Sequence, residues 1–387
     1  MKILHIVPSY KPAYVYGGPI ESVAKLCEGL ALAGNTVHVY TTNANGETDL
    51  PVEPGVETDV DGVKVTYFKT LTKSPSFISP ALWKAVYTDS RDYDVIHIHS
   101  WWNILVIVSA LICTGKGLNV VFAPRGMLSG YILNSGKSTI KKIIHASVGA
   151  RILAKTRLHA TAESELRECT ELIKGWKGFV LPNILSLPDI PVVAPKNPVF
   201  TLIFLSRIHP KKGLEILFEA ISRVKFDLVL RIAGSGEDDY VKKLKAYSEK
   251  LGIADRIEWV GWKDRADKYI EFMNADLFVL VSRNENFANV VIESLHMGTA
   301  VLISEDVGLS DYVRNTGVGW VTTLETSDVA NALTTAFRDR EKREWVRRES
   351  RDIVAQSFSP DRLIAQYSEE YRKLITLQTT RNKNGKN

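Results

Sequence analysis

The sequence predicts an α/β protein with two doubly wound domains, each a parallel sheet flanked by helices. Short β-branched runs alternate with amphipathic stretches in both halves of the chain, and this alternation is typical of βαβ units. A proline-rich segment separates the halves. The length of 387 residues also exceeds the size at which a single hydrophobic core usually stops growing. These three observations predict two domains of ordinary size.

The first half begins with a strand, a helix and a second strand. Residues 4–7 form an apolar run that suits a strand. Apolar residues recur at helical spacing over 20–33, Gly34 ends that helix, and the strand pattern resumes at 36–41. The same periodicities predict strands at 63–68, 95–98, 120–122 and 180–181, and a helix at 164–172 that a serine caps.

The second half repeats the pattern. Its predicted strands, separated by helical patterns, are 200–206, 228–233, 257–259, 277–281 and 300–303. In doubly wound sheets the loops that bind ligands collect at the carboxyl ends of the strands, beside helix N-termini. We therefore expect a phosphate-bearing ligand at these strand ends.

Prolines mark the boundary between the domains. Four of them crowd a short segment that suits a semi-rigid linker: Pro188, Pro191, Pro195 and Pro198. The predicted parts are an N-terminal domain over 1–185, a linker over 186–198, a C-terminal domain over 199–360, a helix over about 361–378 and a disordered polar tail over 379–387.

Composition and charge narrow the function classes. The net charge of +5 is too small to indicate a nucleic-acid partner, although it favours anionic ligands. Cys27, Cys113 and Cys169 lack metal or redox spacing, so we interpret them as buried thiols in the reducing cytoplasm. The longest apolar stretch, 104–113, is shorter than the roughly 20 residues of a membrane-spanning helix. Zinc-hydrolase, serine-hydrolase and P-loop motifs are absent from the sequence.

Two acidic residues form the most specific motif. Glu285 and Glu293 are separated by seven residues, just after a predicted strand and at the start of a predicted helix. If that helix begins near Ala288, Glu285 projects past its N-terminus, and the unpaired N–H groups of its first turn attract a diphosphate. The alternative is that Glu285 is only a helix N-terminal acid and Glu293 only a surface residue.

A basic pair lies at the end of the first strand of the second half. Arg207 and Lys212 are separated by a turn that contains Pro210. An arginine fork and a lysine point charge can bracket a diphosphate and offset the charge on a leaving group. The alternative is a solvated basic turn, but the nearby acidic pair favours a functional role.

Glycines mark the first strand-to-helix turn. Gly17 and Gly18 would let backbone N–H groups approach a phosphate or a sugar, although a tight turn explains them equally well. By contrast, the segment 234–239 lacks the third glycine of a dinucleotide-binding motif, so we expect no NAD site there.

Taken together, the motifs resemble glycosyltransferase family four, retaining enzymes of the GT-B fold in which two Rossmann-like domains face a central cleft. The residues that carry the resemblance are Gly17-Gly18, Asp94 to His99, Ala162 to Glu165, Pro182-Asn183, Arg207, Lys212-Gly213, Glu285 and Glu293. The resemblance implies that Arg207 and Lys212 bind the donor diphosphate. It also implies that Glu293 binds the ribose, that Glu285 contacts the transferred sugar, and that Gly17 and Gly18 close over the phosphates.

The resemblance implies further features of the donor site. Donor contacts are expected from Asn286, Phe287, Ala288, Asn289 and, near the base, Gly261. It implies no cofactor and no obligatory metal, because the basic pair takes the place of a divalent cation, and a C-terminal helix that crosses back to the first domain.

The sequence departs from the family pattern at three positions. Arg125 stands where many members have a histidine near the reacting sugar, and because arginine stays protonated, its expected catalytic role is electrostatic, toward a phosphate or an anionic acceptor. Ala288 and Ala300 replace a glycine and a proline.

Two more residues are acceptor-side candidates. His99 is a secondary candidate, with a structural strand-end histidine as the alternative. Trp101 would either stack on a sugar or fill the domain core.

The predicted function is transfer of a hexosyl group from a nucleotide-diphosphate sugar to a saccharide or lipid-linked acceptor, in surface polysaccharide or lipopolysaccharide synthesis. The alternatives are a non-catalytic nucleotide-sugar-binding subunit and a sugar-nucleotide epimerase. The basic segment 137–157 would contact the inner face of the membrane peripherally, or form an ordinary surface helix.

Overall fold

The computed structural model describes residues 1–134, 149–192, 197–263 and 265–384. The chain forms two compact units: Met1–Ser186 together with Pro360–Asn387, and Leu187–Ser359. We call them unit 1 and unit 2. Part of the predicted linker is anchored rather than free, because Arg351 donates to the carbonyl of Ile190 at 2.7 Å and His296 bonds the carbonyl of Pro188 at 2.8 Å. Both anchoring side chains belong to unit 2.

Unit 1 contains an eight-stranded sheet in the order β10-β9-β8-β7-β1-β2-β6-β5, parallel except for the pair β5–β6. Its strands, with the small hairpin β3–β4, are β1 Lys2–Ile6, β2 Thr36–Thr42, β3 Ala44–Asn45, β4 Thr48–Asp49, β5 Glu57–Val60, β6 Val63–Phe68, β7 Val95–His99, β8 Val120–Ala123, β9 Arg157–Ala160 and β10 Gly178–Val180. Among the strands of the eight-stranded sheet, β5 and β9 were not predicted from the sequence. β5 is polar and mostly exposed at the sheet edge, and β9 has only four residues, so neither shows a clear periodicity.

The described helices of unit 1 cover the two faces of this sheet. They are α1 Gly18–Leu32, α2 Pro80–Asp89, α3 Ile104–Gly115, α4 Gly130–Asn134, α5 Ala150–Leu153, α6 Glu163–Leu172 and α14 Pro360–Asn384, with single 3-10 turns at Tyr14–Tyr16 and Ser90–Asp92. None of the described helices is both long enough and apolar enough to cross a membrane. Most of the basic segment 137–157 lies outside the described residues, and its described end includes α5, where Ile152 and Leu153 are buried.

The C-terminal helix α14 packs on α1. A Cβ atom at Gly29 would lie 2.5 Å from the Ile364 side chain, so the glycine allows the close approach. The buried face of α14 continues through Tyr367 and Tyr371. The helix also runs past residue 378 to Asn384, so the prediction of a disordered tail is wrong for 379–384. Thr379 to Asn384 contain no strong helix breaker, and Gly385 is the first.

Unit 2 contains a fully parallel six-stranded sheet in the order β13-β12-β11-β14-β15-β16. The strands are β11 Phe200–Leu205, β12 Leu228–Ala233, β13 Ile257–Gly261, β14 Leu277–Leu280, β15 Val301–Ser304 and β16 Gly319–Thr322. The described helices are α7 Leu214–Arg223, α8 Asp238–Lys250, α9 Arg265–Met273, α10 Asn289–His296, α11 Ser310–Thr316, α12 Thr326–Arg338 and α13 Arg340–Ser357, with 3-10 turns at Pro210–Lys212 and Ala254–Arg256. The short strand β16 was not predicted.

Burial explains why most strands were readable in the sequence. The central strands β11 and β14 are covered on both faces, which favours near-continuous apolar runs such as Leu277–Leu280. The three cysteines are free and buried, as predicted. The predicted class, α/β with doubly wound parallel sheets, is confirmed.

Candidate functional site

Lys212 is placed by an unusual backbone just after β11. The 3-10 turn Pro210–Lys212 ends at Gly213, whose φ of 70° lies in the left-handed region. A Cβ atom there would lie 2.1 Å from the carbonyl oxygen of Val281 at the end of β14. Only glycine allows this approach. The turn therefore holds Lys212, which is 9% exposed, against the end of the neighbouring strand.

Lys212 forms an ion pair with Glu285. Lys212 Nζ lies 2.5 Å from Glu285 Oε1, and both side chains are largely buried. The backbone of Glu285 is fixed as well, since its N–H donates to the Asp306 carbonyl at 2.9 Å. The family resemblance implies that Lys212 binds the donor diphosphate and that Glu285 contacts the transferred sugar, but their direct contact was not predicted from the sequence.

Positive charge is concentrated around this pair. Arg207 is exposed and makes no hydrogen bond or ion pair with the residues that the structure describes. Burial lowers the pKa of Lys211, and the neighbouring cations Lys212 and Arg207 lower it further against the opposing effect of Glu285. The segment from Arg207 to Lys212 therefore offers a strong attraction for an anion.

The Gly234-Ser235-Gly236 segment has a structural explanation. Cβ atoms at Gly234 and Gly236 would lie 1.9 Å and 2.2 Å from the carbonyl oxygens of Ser206 and Ile208. The two glycines therefore let the loop after β12 pack directly against the loop that carries Arg207.

The helix α10 begins where the sequence analysis placed it. Ala288 precedes the helix in a left-handed conformation, with a φ of 66°. Before it, Phe287 is buried and packs edge-to-face on Phe358 at 5.9 Å. Asn286 and Asn289 are half-buried on either side of these two residues. The unpaired N–H groups and the dipole at this helix N-terminus favour an anion.

Glu293 lies inside α10, as predicted, and is only 7% exposed. Lys268 of α9 donates to its Oε1 at 2.9 Å. The alternative of a surface residue is therefore wrong for Glu293. Lys268 was not predicted as a site residue, because nothing in the local sequence links it to a residue 25 positions away.

Gly261 and Gly17, which are both predicted donor contacts, lie at exposed positions where the chain changes direction. Gly261 ends β13 with a φ of 72°, and its carbonyl accepts from the N–H of Gly234 at 2.8 Å. In unit 1, Gly17 has a φ of 85° and precedes α1, which begins at Gly18. Apart from the chain neighbours, no atom of the described residues lies within 4 Å of a Cβ built on Gly17 or Gly261, so a ligand can approach the backbone of both glycines.

Arg125 follows β8 in unit 1 and has only neutral partners. Its guanidinium donates to Asn183 Oδ1 at 2.5 Å and to Ser22 Oγ at 3.4 Å, and lies 3.3 Å from His99 Nδ1. No carboxylate in the described part of the chain forms an ion pair with it; the nearby Glu165 accepts from the N–H of Gly126 instead. Burial lowers the pKa of Arg125. Its charge is therefore oriented without a direct ion pair to any described residue, although Glu165 attracts it at longer range.

The two acceptor-side candidates beside Arg125 are buried. Trp101 is 0% exposed and packs edge-to-face on Phe122 at 5.3 Å, so it fills the core and the sugar-stacking prediction is wrong for it. The chain turns inward after β7, where Ser100 has a left-handed φ of 74°. His99 is also buried and contacts Arg125 rather than solvent.

One group of side chains has the composition of a metal site. Among the described residues, His5, His97 and His99 bring three candidate ligand atoms within 4.8 Å of one another. Five of their six ring nitrogens already have hydrogen-bonding neighbours: His5 with His99 at 2.9 Å, His97 with Tyr371 at 2.7 Å and with His159 at 3.2 Å, and His99 with Arg125 at 3.3 Å. A cation would have to break these bonds beside a guanidinium. The arrangement therefore fits a neutral hydrogen-bond network better than a metal centre.

Two family models match most of the chain. The description "Glycosyl transferase 4-like domain" matches residues 17–183, and "Glycosyl transferases group 1" matches residues 189–352. An uncharacterized glycosyltransferase of Methanocaldococcus jannaschii is 22% identical, over 96% of this chain and 98% of its own length. The lipopolysaccharide core biosynthesis glycosyltransferase LpsE of Rhizobium meliloti is 26% identical over 44% of this chain and 50% of its own.

Solved structures share the fold over the whole length. HepE of Anabaena, solved in complex with UDP and glucose, has a TM-score of 0.72 and 19% identity, and the match covers 96% of this chain and 100% of HepE. The parallel strand order of each unit is consistent with this likeness. The chain is therefore a glycosyltransferase of the group 1 and 4-like family, with the GT-B fold.

Proposed function

We propose that the chain transfers a hexosyl group, with retention of configuration, from a nucleotide-diphosphate sugar to a saccharide or lipid-linked acceptor in surface polysaccharide or lipopolysaccharide synthesis. The role of the relative LpsE in lipopolysaccharide core biosynthesis supports the pathway class. The complex of HepE with UDP and glucose supports a UDP-sugar as the first donor to test.

The Lys212–Glu285 ion pair is the observation that carries the proposal. A diphosphate brings more negative charge than a single carboxylate, so it competes for Lys212 and releases the Glu285 oxygen that Lys212 held. The released carboxylate can then accept hydrogen bonds from sugar hydroxyls. Binding of the phosphates and of the sugar are thereby coupled through one exchange of partners.

The same cations stabilise the leaving group. As the bond to the sugar breaks, negative charge grows on the diphosphate, beside Lys212 and the exposed Arg207. The N-terminus of α10 adds its dipole. We infer that these groups make a divalent cation unnecessary, so activity should survive a strong chelator.

Glu293 is the proposed ribose-binding residue. A carboxylate can accept from both ribose hydroxyls, and the contact with Lys268 holds Glu293 in one orientation. In unit 1, Arg125 is the proposed electrostatic group for a phosphate or an anionic acceptor, because its charge has no carboxylate partner among the described residues.

The three buried free thiols support a cytoplasmic location, and the basic sequence 137–157 supports peripheral contact with the inner face of the membrane. Co-sedimentation with anionic vesicles, compared with neutral ones, tests the contact.

The decisive experiment follows the donor. Nucleotide diphosphates are screened by thermal shift, and the sugar donors of those that bind are then incubated with free and lipid-linked saccharides. We expect release of the nucleotide diphosphate only with an acceptor, and NMR of the product should show the donor's anomeric configuration. If the protein binds the nucleotide but releases no nucleotide diphosphate from any sugar donor, it is a binding subunit. If it converts the donor without an acceptor, it is an epimerase. Either result contradicts the proposal.

A further inference from the structure

Four buried histidines lie on one face of the sheet in unit 1, under the tyrosines of α14. None is more than 1% exposed: His5 on β1, His97 and His99 on β7, and His159 on β9. The charged and titratable groups that face them from the surrounding elements are Arg125, Glu165, Tyr10, Cys27, Tyr367 and Tyr371. The donor-site chemistry proposed for unit 2 uses none of these histidines.

The contact with Arg125 fixes the proton positions of the first two histidines. A guanidinium can only donate, so His99 Nδ1 must accept at 3.3 Å. The proton of neutral His99 then lies on Nε2, which donates to His5 Nδ1 at 2.9 Å. His5 in turn carries its proton on Nε2, a buried atom without a hydrogen-bond partner in the described structure. The direction of this chain is therefore set by Arg125.

A backbone carbonyl fixes the other two histidines. The carbonyl oxygen of Leu181 can only accept, so His159 Nε2 carries the proton at 2.9 Å. His159 Nδ1 then accepts from His97 Nε2 at 3.2 Å, and His97 Nδ1 accepts from the Tyr371 hydroxyl at 2.7 Å. All four rings thus share one neutral tautomer, with the proton on Nε2.

A neutral histidine ring can hold a guanidinium in place without cancelling its charge. Burial keeps the pKa values of His5 and His159 at about 3, and it holds those of His97 and His99 well below the ordinary value, with Arg125 lowering all four. A carboxylate at position 99 would form a buried ion pair with Arg125. A neutral lone pair orients the guanidinium and leaves its charge available to an anion.

The backbone supports this arrangement. Arg125 has a left-handed φ of 57°, an uncommon conformation for a residue with a side chain. Such strain persists only where the surroundings over-determine it, and it concentrates at functional sites. Asn183, Ser22 and His99 supply three separate acceptors that hold the side chain.

We propose that His99 is a positioning residue: its Nδ1 lone pair accepts from the Arg125 guanidinium and aims it at a phosphate group of a substrate, while the bond that His99 Nε2 donates to His5 holds the ring in place. The role in transfer rests on the proposed function, whereas the anion-binding part does not. The phosphate belongs either to the donor or to a phosphorylated acceptor.

The first test measures proton positions and phosphate binding without turnover. In the full-length protein, ¹⁵N NMR of the imidazole rings should show His99 protonated on Nε2. The Arg125 Nε–H signal should move on addition of inorganic pyrophosphate. In His99→Leu that response should weaken by about tenfold in apparent affinity, and in His99→Asn, whose amide oxygen can replace Nδ1 as acceptor, it should be largely restored. A proton on Nδ1 of His99, or an unchanged response in His99→Leu, would overturn the proposal.

The second test separates the two sources of phosphate. UDP and a prenyl phosphate are titrated in parallel, and the ligand whose response depends on residue 99 identifies the source. With turnover established, His99→Leu should lower kcat/KM by about tenfold to a hundredfold, whereas His99→Asn should recover most of it. Tyr371→Phe, which removes a donor only from the other pair of histidines, is the matched buried control and should retain activity. Equal losses in His99→Leu and His99→Asn would indicate a purely structural role and contradict the proposal.

If the wild-type protein turns over no sugar donor, the proposed function fails. The NMR measurements still decide the positioning role, because they need no reaction.

Discussion

Lys212 and Arg125 both follow a parallel strand and both have restricted access to water, yet their partners differ in charge. Lys212 lies 2.5 Å from the carboxylate of Glu285. Arg125 instead donates to Asn183 and Ser22 and contacts the neutral ring of His99. A carboxylate partner can be displaced when a stronger anion arrives, whereas neutral partners can remain while an anion binds. The comparison suggests an exchangeable cation in unit 2 and a fixed cation in unit 1.

Because the ring that contacts Arg125 belongs to a group of buried neutral histidines, the largest expected effect is a loss of stability of unit 1 at acid pH. His5 and His159 have pKa values of about 3 in the folded chain, compared with about 6.5 when unfolded. Below pH 6.5 the unfolded chain therefore binds protons that the folded chain does not, and stability falls by about 1.4 kcal/mol per pH unit for each of the two histidines. At pH 5 the two together remove roughly 4 kcal/mol from the free energy of unfolding.

Hydrogen exchange read by mass spectrometry between pH 7.5 and 5 should show unit 1 opening before unit 2. The histidines of unit 2 whose pKa values are lowered, His209 and His296, are less deeply buried and should contribute less. Equal acid sensitivity of the two units would contradict the assignment of four neutral buried rings.

Among the proposed variants, disruption of the Lys212–Glu285 pair should cause the largest loss of activity. Lys212→Met removes a cation from the proposed leaving-group site and should lower kcat by about a hundredfold to a thousandfold, or roughly 3–4 kcal/mol. It also leaves Glu285 without its cation, so some stability is lost. Lys212→Met combined with Glu285→Gln should recover stability but not activity.

Lys263→Met is the matched control for this prediction. It removes a lysine that pairs with Glu271 at 3.3 Å, outside the proposed diphosphate site. Full turnover by Lys212→Met would remove Lys212 from the proposed site.

Replacing the fixed arginine of unit 1 with lysine should have a smaller effect. Arg125→Lys keeps the charge but cannot reach three separate acceptors from one planar group, so kcat/KM should fall by about tenfold to a hundredfold, roughly 1.4–2.8 kcal/mol. The affinity for UDP measured by calorimetry should stay constant if Arg125 serves the acceptor, and should fall if it serves the donor. Wild-type kcat/KM in Arg125→Lys would indicate that geometry at this position is unimportant.

The ion pair between Lys268 and Glu293 provides a test of the proposed ribose contact. Lys268→Met should disturb the orientation of Glu293 and reduce the preference for UDP over 2′-deoxy-UDP by about 1 kcal/mol, or about fivefold. Calorimetric titration of the two nucleotides measures the preference, again with Lys263→Met as the control. An unchanged preference would place the ribose contact elsewhere.

The smallest expected effect concerns the residue before α10. Ala288→Gly relieves a left-handed conformation of an alanine, and after the entropy of glycine is taken into account it should raise the free energy of unfolding by up to about 1 kcal/mol. The same change at Ala246, an exposed position inside α8, should lower it by about 0.5–1 kcal/mol. Thermal denaturation of the two variants should therefore show shifts of opposite sign.

Local periodicity was sufficient for most of the fold. The strand 277–281 and the helix 20–33 were predicted from runs and spacings of apolar residues, because burial in a doubly wound sheet leaves that pattern in the chain. The edge strand Glu57–Val60 was missed because it buries little and carries polar residues. The extension of α14 to Asn384 was missed because a polar composition was read as disorder.

Candidate functional residues with a local signal could also be identified from the sequence. Glu285, Glu293 and Lys212 stand at strand ends and at a helix start, where the type of residue is informative by itself. Lys268 had no such signal, since its role depends on the contact of α9 with α10. The buried position of Trp101 was equally undetermined, because a tryptophan after a strand can face either the core or a ligand.

The sequence alone determined the two doubly wound domains, the order of the motifs and the chemical type of the candidate site, because hydrophobic periodicity and turn chemistry act between near neighbours in the chain. Only the tertiary structure decided which charges meet. Lys212 finds Glu285 across 73 positions, and Arg125 finds Asn183 across 58. Contacts at such separations depend on how strands and helices pack, and no local pattern encodes the charge of a partner that packing brings close.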